Sequence, residues 1–84
     1  MPKYNGFKNW NHWNVSLWIA NDEGLNAMAR FYRKHYRKAS GFGQTAKERA
    51  ARAMLLSLKD AGVHATPDGA PYSMSTILVA MNGL

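Results

Sequence analysis

Residues 9–24 read NWNHWNVSLWIANDEG, placing all three tryptophans of the chain and four asparagines within sixteen positions ahead of an Asn-Asp-Glu-Gly break. A small domain needs its bulkiest side chains for burial, so Trp10, Trp13 and Trp18 read as organisers of a single core. Asparagines between them can bond to backbone at helix ends and turns. From about Asn11 to Ala20 the pattern predicts a short helix with Trp10, Trp13, Leu17 and Ala20 on one side. Val15, Trp18 and Ile19 widen the apolar arc until only Asn11, His12, Asn14 and Ser16 remain as a polar side. If Trp10 or Trp13 instead faces solvent beside Asn11 and Asn14, a protein-binding hot spot becomes the preferred reading of that surface.

Everything else must pack around this segment within 84 residues. A chain of this length buries roughly 60–65% of its unfolded surface, which supports one core and one domain spanning residues 1–84. Hydrophobic residues at 46% and aromatics at 12% are rich enough for autonomous folding. With no cysteine, neither disulfides nor thiolate metal sites can supplement packing. No apolar run resembles a signal-peptide core or a membrane span. The expected location is therefore the cytoplasm.

The remaining elements have local start and stop signals. Residues 1–8, with Pro2 and an Asn5-Gly6 turn, predict an irregular arm that Tyr4 and Phe7 could anchor. Asn21 or Asp22 reads as the N-cap of a second helix over 22–38, with acids in its first turn and Arg37 and Lys38 in its last. Gly24 in that first turn costs about 1 kcal/mol relative to alanine, so the boundary can shift. Leu25, Met28, Ala29, Tyr32 and Tyr36 form one face of it; Arg30, Lys34 and Arg37 lie behind that face, and Arg33 sits on the flank. Gly41 and Gly43 mark a loop. Thr45-Ala-Lys-Glu48 is a capping-box pattern opening a third helix over 45–61, closed by Gly62. Its Ala46, Ala50, Ala53 and Ser57 form a small-residue ridge, with Met54, Leu55 and Leu58 supplying bulk beside it. Thr66-Pro67-Asp68-Gly69 reads as a turn. A last helix over 74–82 follows, although Ser75-Thr-Ile-Leu-Val79 is also good strand material; a lone strand would lack a partner, which favours helix. The expected fold class is all-α: a compact bundle of about four short helices with an irregular N-terminal arm. The expected core comprises Trp10, Trp13, Leu17, Trp18, Leu25, Met28, Tyr32, Tyr36, Met54 and Leu58.

Charge is concentrated in one region. The net charge is +6, and eight of the eleven Lys and Arg residues lie between Arg30 and Arg52, where Glu48 is the sole acid. Such a field attracts nucleic acid, an acidic protein surface or anionic lipid. The candidate binding residues are Arg30, Arg33, Lys34, Arg37 and Lys38, with Lys47, Arg49 and Arg52 extending the patch. Phe31 is the aromatic of this helix expected to be exposed, since both tyrosines point inward; that weakens base stacking as its purpose. A solvated amphipathic face accounts for the charges as well as a binding face does.

Catalytic patterns are sparse. Of five carboxylates, Asp22 and Glu23 open a helix, Glu48 completes a capping box and Asp68 sits in a turn, leaving Asp60 without an obvious structural task. His12, His35 and His64 are far apart, without metal-ligand spacing. No phosphate-binding glycine loop or nucleophile elbow is present. No catalytic residue, cofactor or metal is therefore expected, and a small ribonuclease using one of the histidines with an arginine is the weakest of the functional readings.

Tyr4-Asn-Gly-Phe-Lys-Asn-Trp10, Trp13-Asn-Val-Ser-Leu-Trp18 and Asn21-Asp-Glu-Gly24 resemble the signature of a family of small uncharacterised proteins carried by bacteriophages, plasmids and their bacterial hosts. The Thr66-Pro-Asp-Gly69 turn and the apolar C-terminal segment are similar to that family's usual ending. Family members commonly have Thr where His12 stands and Asn where Ala20 stands. The resemblance implies a mobile-element accessory protein in the bacterial cytoplasm, of the kind that blocks host defence by stoichiometric binding. The leading expectation is a non-catalytic protein whose basic helix docks on a host protein or nucleoprotein complex, such as a CRISPR effector. Direct DNA or RNA binding through the same helix is the alternative.

Overall fold

The computed structural model describes residues 6–37 and 45–84. Within them the chain forms four helices, α1 (Trp10–Asn21), α2 (Glu23–His35), α3 (Ala46–Asp60) and α4 (Met74–Asn82), and no strand beyond an isolated Ala65–Pro71 bridge. The fold is an all-α small bundle, as the sequence pattern predicts. Residues 1–5 of the expected arm and Lys38 lie outside the described residues.

The helix boundaries follow from caps. The Asn9 side chain accepts the His12 amide at 3.0 Å and opens α1. Asp22 alone separates α1 from α2: its extended backbone ends one helix while its carboxylate accepts the Leu25 amide at 2.9 Å to start the next. The side-chain amide of Asn26 donates to the carbonyl of Ile19, an acceptor that the helix end leaves open, and that of Asn21 donates to the carbonyl of Leu17 one turn back. Thr45 and Glu48 form the expected capping box. At the far end of α3, Val63 N–H bonds Leu58 C=O and Gly62 N–H bonds Lys59 C=O, with Gly62 at φ +77°. That is the left-handed C-terminal cap for which glycine has the least strain. Ser73 and Thr76 build a second capping box, which commits Ser75-Thr-Ile-Leu-Val79 to helix. Helix α2 closes at His35, earlier than its charge pattern alone indicates, with Tyr36 as its cap.

Ala50 and Ala51 of α3 are fully buried, so α3 approaches its neighbours closely while Met54 and Leu58 fill the space beside them. Val15 and Ile19 from α1, Ala29 from α2, and Ile77, Ala80 and Met81 from α4 complete the centre with Ala70 and Tyr72 of the connecting loop. Leu25, Met28, Tyr32 and Tyr36 are half-buried and pack against this core from α2. Each fully buried Ile, Val or Met contributes roughly 1.5–3 kcal/mol.

The orientation of α1 departs from the pattern. Trp10 and Leu17 are 37% and 39% exposed, while Trp13 and Trp18 are half-buried. The inward face instead carries Val15 and Ile19 together with two polar residues, His12 and Asn14, both buried. Apolar residues surround this helix, so periodicity leaves its rotation open; distant polar partners decide it. Asn14 Oδ1 accepts the Thr66 hydroxyl at 2.6 Å, and its Nδ2 donates to Asp68 at 3.0 Å. Trp18 Nε1 donates to the same Asp68 oxygen at 2.9 Å. His12 Nε2 lies 2.7 Å from Ser75 Oγ at the start of α4. The predicted turn is thereby latched to α1. Within it, Gly69 N–H bonds Thr66 C=O at 2.8 Å, and Thr66 Oγ1 accepts the Ala70 amide.

Two outcomes are expected from this latch. Asn14→Ala leaves the buried Thr66 hydroxyl and one Asp68 bond without a partner, and should lower unfolding stability by about 2 kcal/mol in urea titrations. The bonds from Asn14 and then Trp18 hold the Asp68 carboxyl below its ordinary value, outweighing slight desolvation. A depressed folded-state pKa gives stability that is complete above the unfolded value of about 3.9 and is lost as pH falls through the folded value. The melting temperature should therefore fall on acidification below about pH 4 more steeply in the native protein than in Asp68→Asn, which retains an acceptor without a titrating charge.

Candidate docking surface

Helix α2 divides into two faces because its apolar residues recur at helical spacing. Ala29 is buried, and Tyr32 reaches α3, where its hydroxyl lies 2.5 Å from Ser57 Oγ. The Tyr32 and Tyr36 rings stack with centroids 6.4 Å apart. With the tyrosines turned inward, Arg30, Arg33 and Lys34 fall at i, i+3 and i+4 on the outward side of α2, and Arg37 follows in the turn after Tyr36. These four side chains line a single open concavity of about 390 Å³ together with Leu84. Arg30 Nε donates to Asn26 Oδ1 at 2.8 Å, which holds its stem along the helix.

Acids do not neutralise the stripe. Asp22 caps α2, Glu48 belongs to the capping box of α3, and Asp68 accepts from Asn14 and Trp18. Among the described residues, no ion pair engages Arg30, Arg33, Lys34 or Arg37. Their charge is available to a partner.

The other expected cations do not extend this stripe as one patch. Arg49 and Arg52 of α3 line a separate concavity of about 320 Å³ with Tyr36, Ala53 and Leu56. Lys47 Nζ donates to Asn82 Oδ1 and ties the start of α3 to the end of α4. Lys38 lies outside the described residues. Phe31 is 60% exposed and stacks on His35 with centroids 5.8 Å apart, but does not line the concavity of the stripe.

A larger concavity, about 600 Å³, lies between α1 and α4. Phe7, Trp13, Leu17, Val79 and Leu84 supply its apolar lining. No linear motif marks it; the available signal was a helix apolar on nearly all sides, which cannot bury every side. Trp10 is exposed on α1 as well, though Asn14 is turned away from solvent to the loop. The three histidines sit on different elements: His12 within α1, His35 within α2 and His64 in the loop after α3. Among the described residues, no group of three or more His, Cys, Asp or Glu side chains could hold a metal ion, and no helix is long and apolar enough to cross a membrane.

Fold and surface together define a small helical domain with an unneutralised cationic helix face. The chain belongs to a family of unknown function, DUF7249, whose model matches residues 1–83. No curated protein and no solved structure matches it.

Because no acid in the described structure depends on these cations, Arg33→Ala and Arg37→Ala should each change unfolding stability by no more than about 0.5 kcal/mol, as judged by thermal and urea denaturation. A large loss at either position would show that the stripe is structural.

Proposed function

We propose that this is a non-catalytic binding protein that docks through the outward face of α2 onto an acidic surface of a host protein or nucleoprotein complex. One observation carries the reading: Arg30, Arg33, Lys34 and Arg37 line a common concavity with no ion pair among the described residues. Arginine predominates in the stripe, and its planar fork suits carboxylate recognition better than a lysine ammonium does. The exposed Phe31–His35 pair lies on the same helix and adds the kind of aromatic contact common at the centre of interfaces.

The resemblance to proteins of bacteriophages and plasmids supplies the biological setting of the proposal. A mobile-element accessory protein would act in the host cytoplasm by stoichiometric binding, and inhibition of a defence complex such as a CRISPR effector is one such use. Direct DNA or RNA binding through the same stripe is the competing reading.

The test is capture of partners from bacterial lysate by the tagged full chain, with and without nuclease. A specific protein should be retained after nuclease treatment and lost with the Arg33→Glu/Arg37→Glu double variant. Capture that disappears with nuclease, accompanied by retention of purified DNA or RNA that weakens steeply with salt, would establish the competing reading instead.

A further inference from the structure

The groove between α1 and α4 adjoins the cationic stripe. Leu84 borders both, so the apolar lining of Phe7, Trp13, Leu17 and Val79 continues into the concavity of Arg30, Arg33, Lys34 and Arg37. At about 600 Å³ the groove is large enough to receive several side chains of a ligand. A nucleic-acid backbone offers phosphates to the stripe but no aliphatic side chains to the groove. An acidic protein segment offers both.

We infer that the α1/α4 groove binds the apolar side chains of an acidic amphipathic segment of a partner protein, whose carboxylates pair with the α2 stripe. This inference rests on the reading that α2 docks a protein. The groove sets selectivity: carboxylates alone engage the stripe, and only a segment with apolar residues beside its acids engages both surfaces. Charged contacts of this kind accelerate and orient encounter, while buried apolar anchors prolong the complex.

Two synthetic helical peptides of equal length and charge test it, one with Glu and Leu on adjacent faces and the other with Ala in place of every Leu. Binding to the full chain is read by fluorescence anisotropy. The Glu/Leu peptide should bind at least about tenfold more tightly than the Glu/Ala peptide. Leu17→Asn, a neutral change at an outward position, should abolish that advantage and leave Glu/Ala binding unchanged, whereas Arg33→Glu/Arg37→Glu should weaken both. In the unmutated, isotope-labelled protein, the Glu/Leu peptide should shift the amide resonances of Leu17 and Val79, and the Glu/Ala peptide only those of α2. Equal affinity of the two peptides would overturn the groove inference and leave the cationic docking reading intact. Binding of neither, or indifference to the double reversal, would overturn both. A dimer of the protein alone that Leu17→Asn dissociates would assign the groove to a second copy and likewise overturn the inference.

Discussion

The buried amide of Asn14 organises both ends of this small protein. It accepts from Thr66 and donates to Asp68, while Trp18 contributes a second donor to Asp68. An amide placed that deeply is stable only when its donor and acceptor capacity is used, since an unmade bond in the interior costs far more than a made one contributes. The requirement sets the rotation of α1, and that rotation in turn places Val15 and Ile19 in the core. It also fastens the loop that delivers Ala70 and Tyr72 to the core and starts α4 at Ser73. The tryptophan-asparagine segment is thus chiefly an architectural device, with one helix side latched to the Thr66–Gly69 turn and the other left to face solvent.

That latch has a consequence for the surface. With Val15 and Ile19 inward, Trp10 and Leu17 come to lie roughly opposite them at about 100° per residue. Leu17 and Trp13 then line the α1/α4 groove, where Leu84 joins it to the α2 stripe. In α2 the division is simpler, because tyrosines and alanine occupy one face and cations the other. One helix therefore supplies charge through its regular amphipathicity, and the other supplies apolar surface because it has more large side chains than a small core can enclose.

Local signals were legible in the residues themselves. The capping box at Thr45 and Glu48, the Asp22 cap, Gly62 and the Thr66–Gly69 turn each depend on contacts spanning a few positions, and each appears where the pattern puts it. The inward placement of Met54, Leu58, Tyr32 and Tyr36 was equally readable, because α2 and α3 have a clear apolar side. Trp10 and Leu17 were misplaced for the converse reason: a helix with apolar residues on nearly all sides carries no periodic preference strong enough to choose its rotation. His12 and Asn14 read as surface residues because Ser75, Thr66 and Asp68, to which their side chains bond, lie more than fifty positions away.

From its residues alone this chain is committed to four short helices, their caps, the intervening turn and a concentration of positive charge, since each arises from neighbours within a turn or two of backbone. Which side of α1 meets the core, which cations share a concavity and where an apolar groove opens were settled only by packing the helices together. Those features rest on hydrogen bonds and contacts between residues remote in sequence, and no local pattern contains the geometry that brings such residues into reach.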